Sequence, residues 1–512
     1  MVATSQPMAT AAALQILRRG GNAMDAAVAA SATLCVTEPL STGIGGDCFL
    51  LYYEAATGEL HALNGSGRAP GRATPDAIRA AGTTQIPERG ILTVTVPGAV
   101  DAWQTAIERF GNLDFGALLE PAIEYAEKGF AVTPVVANAW KNHEEIFRRY
   151  ADSAASFLPG GCAPEAGSRH CFPDLARALR LVADQGKDAF YRGAIADEII
   201  RFSEEHDGLL EYEDLVSHRS EWVAPVSTDY RGLTIVEVPP NSQGITALMT
   251  LGMLEQADLK SLEHLSPEHV HLITEAFKLA QAEAARTIAD PAFADIPVQV
   301  LLSKQFAQQQ FARIDPQAAA PWPVSPRLPE HRDTVYLTIV DKDRNTVSFI
   351  NSLYYPGGSG MVAGKSGVLL QNRGAGFVLD DHHANCIAPG KRPLHTIIPA
   401  MAFRDARPVL SFGVMGGSYQ PLGHAYVISN WLDYGMDLQE AIDAPRFHIM
   451  DGVLSVERPL PQATRQALLR LGHRLEQAET PIGGAQMIYI DWARGVLYGA
   501  SDPRKDGCAL GY

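Results

Sequence analysis

Cysteine is scarce. Six residues (Cys35, Cys48, Cys162, Cys171, Cys386 and Cys508) in a chain of 512 cannot frame a disulfide scaffold, and none sits in a CxxC or Cys/His pair with zinc spacing. Cys162 and Cys171 flank a Gly/Pro-rich loop, where a reduced pair is expected. No apolar run is long enough to span a bilayer. The opening Met1-Val2-Ala3-Thr4-Ser5-Gln6-Pro7 has neither a basic stretch nor an apolar core, so it does not read as a signal peptide, and a cytoplasmic setting is expected. Positive charge is in short supply as well. A net charge of -16 argues against nucleic acid and against an anionic membrane surface as partners. It leaves room for a small anionic substrate, because a pocket can be locally basic. No internal repeat occurs, and the only biased stretch is a Pro/Ala segment discussed below.

The composition that remains, 46% hydrophobic and 20% charged, is that of an ordinary globular protein. By length alone it has room for about three domains of ~150 residues. Helical spacing marks Met8 to Arg19, capped by Gly20-Gly21-Asn22, and a nearly apolar helix from Ala23 to Cys35. Ser41-Thr42-Gly43-Ile44-Gly45-Gly46-Asp47 then leads into a strand, Cys48 to Glu54, which turns back into Leu60 to Asn64. This glycine run follows a helix and precedes a strand, the reverse of a dinucleotide fingerprint, so close backbone packing is the better reading. Helical texture dominates from Leu118 to about Asp290, with a strand at Leu233 to Val238. Past Thr334 the texture turns to strands and glycine loops: Met361 to Leu370, Val409 to Val414, Gly452 to Ser455, Met487 to Ile490 and Val496 to Gly499. Those strands need apolar cover, and the most hydrophobic helices lie early in the chain. One four-layer αββα body of the α+β class, shared by both halves, is therefore expected.

The stretch from Asp333 to Ser352 reads as a β-hairpin beginning on a threonine. Val335 to Val340 is almost wholly β-branched, aromatic or aliphatic, Asp341 to Asn345 is a polar turn, and the strand resumes at Thr346. Upstream, Asp315 to Arg332 carries five prolines and reads as an exposed linker. A linker running into a strand that starts with Thr suits a chain cut between Asp333 and Thr334. The new amine, with an ordinary pKa of about 7.7–8.0, could then take the proton of the adjacent hydroxyl without any histidine.

Several segments resemble the gamma-glutamyltransferase family of N-terminal nucleophile hydrolases. They are Met1 to Thr4, Gly20 to Ala27, Gly43 to Asp47, Pro239-Pro240-Asn241-Ser242-Gln243-Gly244, Thr334 to Asn345, Ser366 to Leu370, Met415-Gly416-Gly417-Ser418 and Ser501 to Arg504. The likeness runs collinearly over essentially the whole chain. It implies an αββα precursor that cuts itself into a large chain (1–333) and a small chain (334–512), which stay together as a heterodimer. Pairing of two such heterodimers is left open. The resemblance makes Thr334 the nucleophile, Ser352 its helper hydroxyl, and Gly416 with Gly417 the oxyanion hole. No cofactor and no metal is expected.

Departures from the family pattern bear on the substrate. After Leu369-Leu370 the family's glutamine and aspartate, which receive a substrate ammonium, are replaced by Arg373 and Gly376. A guanidinium there suits a carboxylate. Ser66 stands where the family keeps its carboxylate-binding arginine, with Arg68 two residues on; Tyr354 replaces an asparagine, and His395 with Thr396 replace paired serines. The resemblance is to the oxamate amidohydrolase branch, which makes oxalate and ammonia in purine-ring breakdown. Arg373, Arg68, Tyr354, His395 and Thr396 are the expected substrate contacts. The alternatives are a gamma-glutamyl hydrolase or transferase, a dicarboxylic-acid acylase, or an unprocessed inert homologue. His382, His383 and Cys386 read as a solvated loop, His269 and His271 as structural, and Asp25 and Asp47 as capping or loop-holding groups.

Overall fold

A computed structural model describes residues 1–322 and 334–512. Two antiparallel sheets form its centre. The first has seven strands in the order Cys508–Leu510, Val2–Thr4, Val335–Val340, Thr346–Ser352, Asp47–Glu54, Glu59–Gly65 and Glu221–Val223. The second has six: Val496–Ser501, Gly484–Asp491, Arg407–Met415, Ala400–Arg404, Leu233–Glu237 and Val226–Tyr230. Each sheet combines strands from before and after Thr334, as the burial argument required.

The Val335–Val340 strand shows why both faces must be apolar. Val335, Leu337 and Ile339 join the core under the early helices, while Tyr336 points into the layer between the sheets with Phe49, Leu51, Ile350, Met401 and Met415. Period-two alternation thus serves two buried faces at once. Outside the first sheet lies Ala23–Thr37, buried along all of its length and started by a reciprocal cap between Asn22 and Asp25. Asp25 also accepts from the Asn112 N–H at 3.1 Å, so it caps one helix and holds a loop. Outside the second sheet lie Gly244–Leu254, Pro267–Thr287 and Gln420–Leu432. Helix, sheet, sheet, helix is the resulting order.

Two local expectations need correction. Met361 to Leu370 is no strand; it makes a single bridge, Val362 to Leu369, around a short 3-10 turn at Gly364–Ser366. Glycines on both sides of Lys365 and Ser366, at φ +51° and +68°, bend the backbone too sharply to continue a ladder. The first part of the Pro/Ala segment is largely exposed, as expected of a linker, but it does not go unpaired. The Asp315 carbonyl bonds His271 at 2.8 Å, the Ala319 N–H bonds the Leu471 carbonyl at 2.7 Å, and the Ala320 N–H bonds Glu275 at 3.1 Å. Buried polar side chains of the Pro267–Thr287 helix need partners, and this backbone supplies them. The rest of that segment, with Asp333 and the expected cut, lies outside the described residues.

Candidate active site

Strand register brings the first three groups together. Val335 pairs with Asn351 and Ser352 pairs with Asp47, so Thr334, one residue before Val335, lies opposite Ser352. All three side chains share the face that looks across to the second sheet. The Thr334 and Ser352 hydroxyls are 3.3 Å apart, and Ser352 Oγ accepts the Tyr354 N–H at 2.9 Å. Tyr354 sits at φ +86°, which a bulky side chain rarely adopts and which local contacts must enforce.

Across the gap, Thr338 meets Ser411 at 2.6 Å and the ring of Tyr336 lies against Gly413. The two strands run in opposite senses, so the same spacing carried to the strand end sets Met415 opposite Thr334, with Gly416 and Gly417 following it. Gly416 has φ +129° and Gly417 φ +58°, conformations a side chain would resist. The Gly416 carbonyl accepts the Tyr419 N–H at 3.0 Å, and the Gly417 carbonyl accepts Gln243 Nε2 at 3.0 Å. Because a peptide is planar, its N–H and C=O point opposite ways. These two bonds therefore fix where the Gly417 and Ser418 N–H groups point.

Arg373 is the buried charge of the site, with no exposed surface. Its guanidinium lies 4.0 Å over the Tyr354 ring and donates to Thr396 Oγ1 at 2.9 Å. Its Nε and its other terminal nitrogen have no hydrogen-bond partner among the described residues. Burial pulls its pKa down to about 10, so it stays charged at neutral pH. The Asp47 carboxylate compensates that charge. It accepts the Gly67 and Gly98 N–H groups at 3.0 Å each, Gln371 Nε2 at 2.9 Å and His395 Nε2 at 3.0 Å. Although burial opposes it, the His395 bond and the charge of Arg373 hold the Asp47 carboxyl below its ordinary range. Burial and the same arginine push His395 down to about 3, so it is neutral and donates to Asp47.

Arg68, expected at the substrate, has partners within the chain. It is paired with Glu221 at 2.7 Å and lies 3.6 Å from Asp290, so the chain's own carboxylates already meet its charge. Sequence reasoning gave Asp47 a loop-holding role, which its two N–H contacts fit, but missed its bond to His395 and its place beside Ser352. It also left Gln243 and Gln371 without roles. An acidic residue opening a strand was the available signal; the glutamines offered none.

Among the described residues one group has the composition of a metal site: His271, Glu275 and His473, with ligand atoms all within 4.8 Å. His271 Nδ1 and His473 Nε2 bond each other at 2.8 Å, and Lys278 Nζ is 2.8 Å from Glu275. The carboxylate a cation would need is thus already paired with an ammonium group. His271 thus has a structural part, tethering Asp315.

A helix-sheet-sheet-helix sandwich of this kind is the architecture of the N-terminal nucleophile hydrolases. Residues 9–512 match the gamma-glutamyltranspeptidase family, and the chain belongs to it. The chain is 40% identical to the glutathione hydrolase-like YwrD proenzyme of Bacillus subtilis (strain 168), over 100% of this chain and 98% of the relative. To the oxamate amidohydrolase proenzyme of Klebsiella pneumoniae it is 36% identical, over 100% and 98%. A solved cephalosporin acylase from Bacillus halodurans superposes with a TM-score of 0.94 at 41% identity, covering 100% of this chain and 96% of that one. Members of the family are autoprocessed enzymes that cleave amide bonds. Relatives made as proenzymes imply two associated chains from one precursor.

Proposed function

We propose that this protein hydrolyses a small amide bearing a carboxylate beside the scissile bond, oxamate being the type case, with Thr334 as nucleophile after self-cleavage at Asp333/Thr334. The observation that carries the reading is Arg373: a fully buried guanidinium with two hydrogen-bonding nitrogens left over, stacked on the tyrosine that bonds the helper serine. A buried charge with spare donors is costly unless a ligand completes it, and a planar fork matches a carboxylate. Tyr354 and Thr396 orient that fork, while Asp47 and His395 form the wall behind it.

In the cycle, the freed Thr334 amine takes the proton from its own Oγ as that oxygen bonds the amide carbon. The developing oxyanion is met by backbone N–H groups at Gly416–Gly417. The amine returns the proton to the departing nitrogen, ammonia leaves, and an acyl ester remains on Thr334. Water, deprotonated by the same amine, opens the ester to the free acid, and the proton restores the Thr334 hydroxyl. Ser352 holds Thr334 Oγ in one rotamer throughout. A place in purine-ring breakdown, in the cytoplasm, belongs to the same proposal.

The test is ammonia release from oxamate, set against chromophore release from a gamma-glutamyl anilide and acid release from a glutaryl amide. Preference for oxamate is expected, and preference for either of the others overturns the substrate assignment. A dicarboxylic-acid acylase is the second reading, favoured by the close superposition on a cephalosporin acylase. Thr334→Ala should give one uncut, inactive polypeptide; two bands on a denaturing gel would remove Thr334 from its role.

A further inference from the structure

Gln243 has no part in the scheme above, yet it sits at the joint between the carboxylate end and the oxyanion end of the site. It follows the Leu233–Glu237 strand in the turn that opens the Gly244–Leu254 helix, and it is 2% exposed. Its main-chain N–H bonds the His395 carbonyl at 2.9 Å. Its side-chain amide donates both hydrogens, one to the Thr396 carbonyl at 2.7 Å and one to the Gly417 carbonyl at 3.0 Å. Thr396 in turn accepts Arg373 through its hydroxyl at 2.9 Å. An unbroken chain of hydrogen bonds thus runs from Arg373 through Thr396 and Gln243 to Gly417.

The chemistry explains the choice of residue. Two carbonyl oxygens face one side chain in a space closed to water, and each needs a donor. A primary amide supplies two hydrogens in one plane and carries no charge to bury. The far end of the chain matters because Gly416 and Gly417 are the two least restrained residues that could stand there. The carbonyl that Gln243 meets belongs to Gly417, whose own N–H is one of the proposed oxyanion donors, so the bond restrains the backbone that carries that donor. Gln243 thereby limits how far a residue at φ +58° can drift.

We propose that Gln243 is a positioning residue, tying the Gly416–Gly417–Ser418 backbone to the wall that carries Arg373, so that the carboxylate site and the oxyanion site keep one fixed separation. This rests on the reading above that Arg373 takes the substrate carboxylate and the glycine backbone meets the oxyanion. Loss of the tether leaves Arg373 in place, so ground-state binding survives. Transition-state stabilisation suffers because the donors are no longer preorganised.

Gln243→Met keeps the length of the side chain and removes both donors; Gln243→Glu keeps the shape and sets a carboxylate against two carbonyl oxygens. Steady-state kinetics on whichever amide the wild-type enzyme turns over best should show kcat lowered about tenfold or more in Gln243→Met, short of the roughly 100- to 1,000-fold loss for a direct oxyanion donor. KM should stay within about twofold, the pattern of an interaction made only in the transition state. Gln243→Glu should be slower still. A crystal structure of the Met variant should show the Gly417 carbonyl moved and Arg373 unmoved. A kcat within twofold of wild type, a loss confined to KM, or a Gly416–Ser418 backbone unchanged in the variant crystal overturns the proposal. If the wild-type enzyme hydrolyses no amide in the panel, the functional reading fails by itself, and the variant crystal alone decides the role of Gln243. Should the Met variant not fold, the Glu variant carries both measurements.

Discussion

Arg373 concentrates the substrate question in one side chain. Its hydrogen bond to Thr396 and its stacking on Tyr354 fix the plane of the guanidinium and leave two nitrogens to offer. Hydrogen bonds to charged groups contribute about 1.5–3 kcal/mol each, so loss of even one of the two should raise KM for oxamate by roughly 10–100-fold in Arg373→Met, and loss of both by more. Rates on an uncharged amide such as oxamide should change far less, and equal losses on both substrates would remove the carboxylate from the argument. The identity of Arg373 and Gly376 was legible in the chain because both break a family pattern. The orientation of Arg68 was not: two residues from the expected position, its direction is set by Glu221 and Asp290, far apart in sequence. Asp47 was half legible. A carboxylate in a glycine loop reads as an acceptor for backbone N–H, but its histidine partner lies 348 residues on.

The hairpin from Val335 to Ser352 is the element that converts sequence order into a site. Its turn is built on Asp341, whose carboxylate accepts the Asp343 N–H at 2.9 Å, the Asn345 N–H at 3.0 Å and the Ala23 N–H at 3.0 Å. One side chain thus shapes the turn and docks it on the first turn of the Ala23–Thr37 helix. Asp341→Ala leaves these donors unmet in a largely buried place, and a loss of about 1–3 kcal/mol is expected in urea unfolding, read as a lower midpoint with an unchanged slope. An unchanged midpoint would mean that water replaces the carboxylate there. The hairpin was plain in the sequence, since alternation and a polar turn are local signals. The Met361 to Leu370 stretch misled because its residues suit a strand while its backbone, bent at Gly364 and Gly367, cannot complete one. Similarly, Asp315 to Ala320 looked unpaired because its partners, His271, Glu275 and Leu471, come from other elements.

At the scale of the whole molecule, many histidines are buried without charge. Burial lowers His170, His218 and His473 to about 4, and His269, His395 and His424 to about 3. In the unfolded chain each returns to about 6.5. A base whose folded pKa is depressed favours folding fully above the unfolded value, and that contribution drains away as pH falls toward the folded one. The melting temperature should therefore hold above about pH 7 and fall progressively from there to about pH 4; a flat profile would contradict neutral, buried rings. The same interleaving that buries them puts the first and last strands side by side, Val2 opposite Leu510 and Thr4 opposite Cys508. Joining those ends through a short linker and opening the chain before Thr334 would yield a circular permutant whose threonine becomes the leading residue once the initiator methionine is removed. Such a chain owes nothing to self-cleavage. If the cut serves only to bare the amine, the permutant should be active as made, and one peptide-bond hydrolysis would separate from all the amide chemistry that follows it.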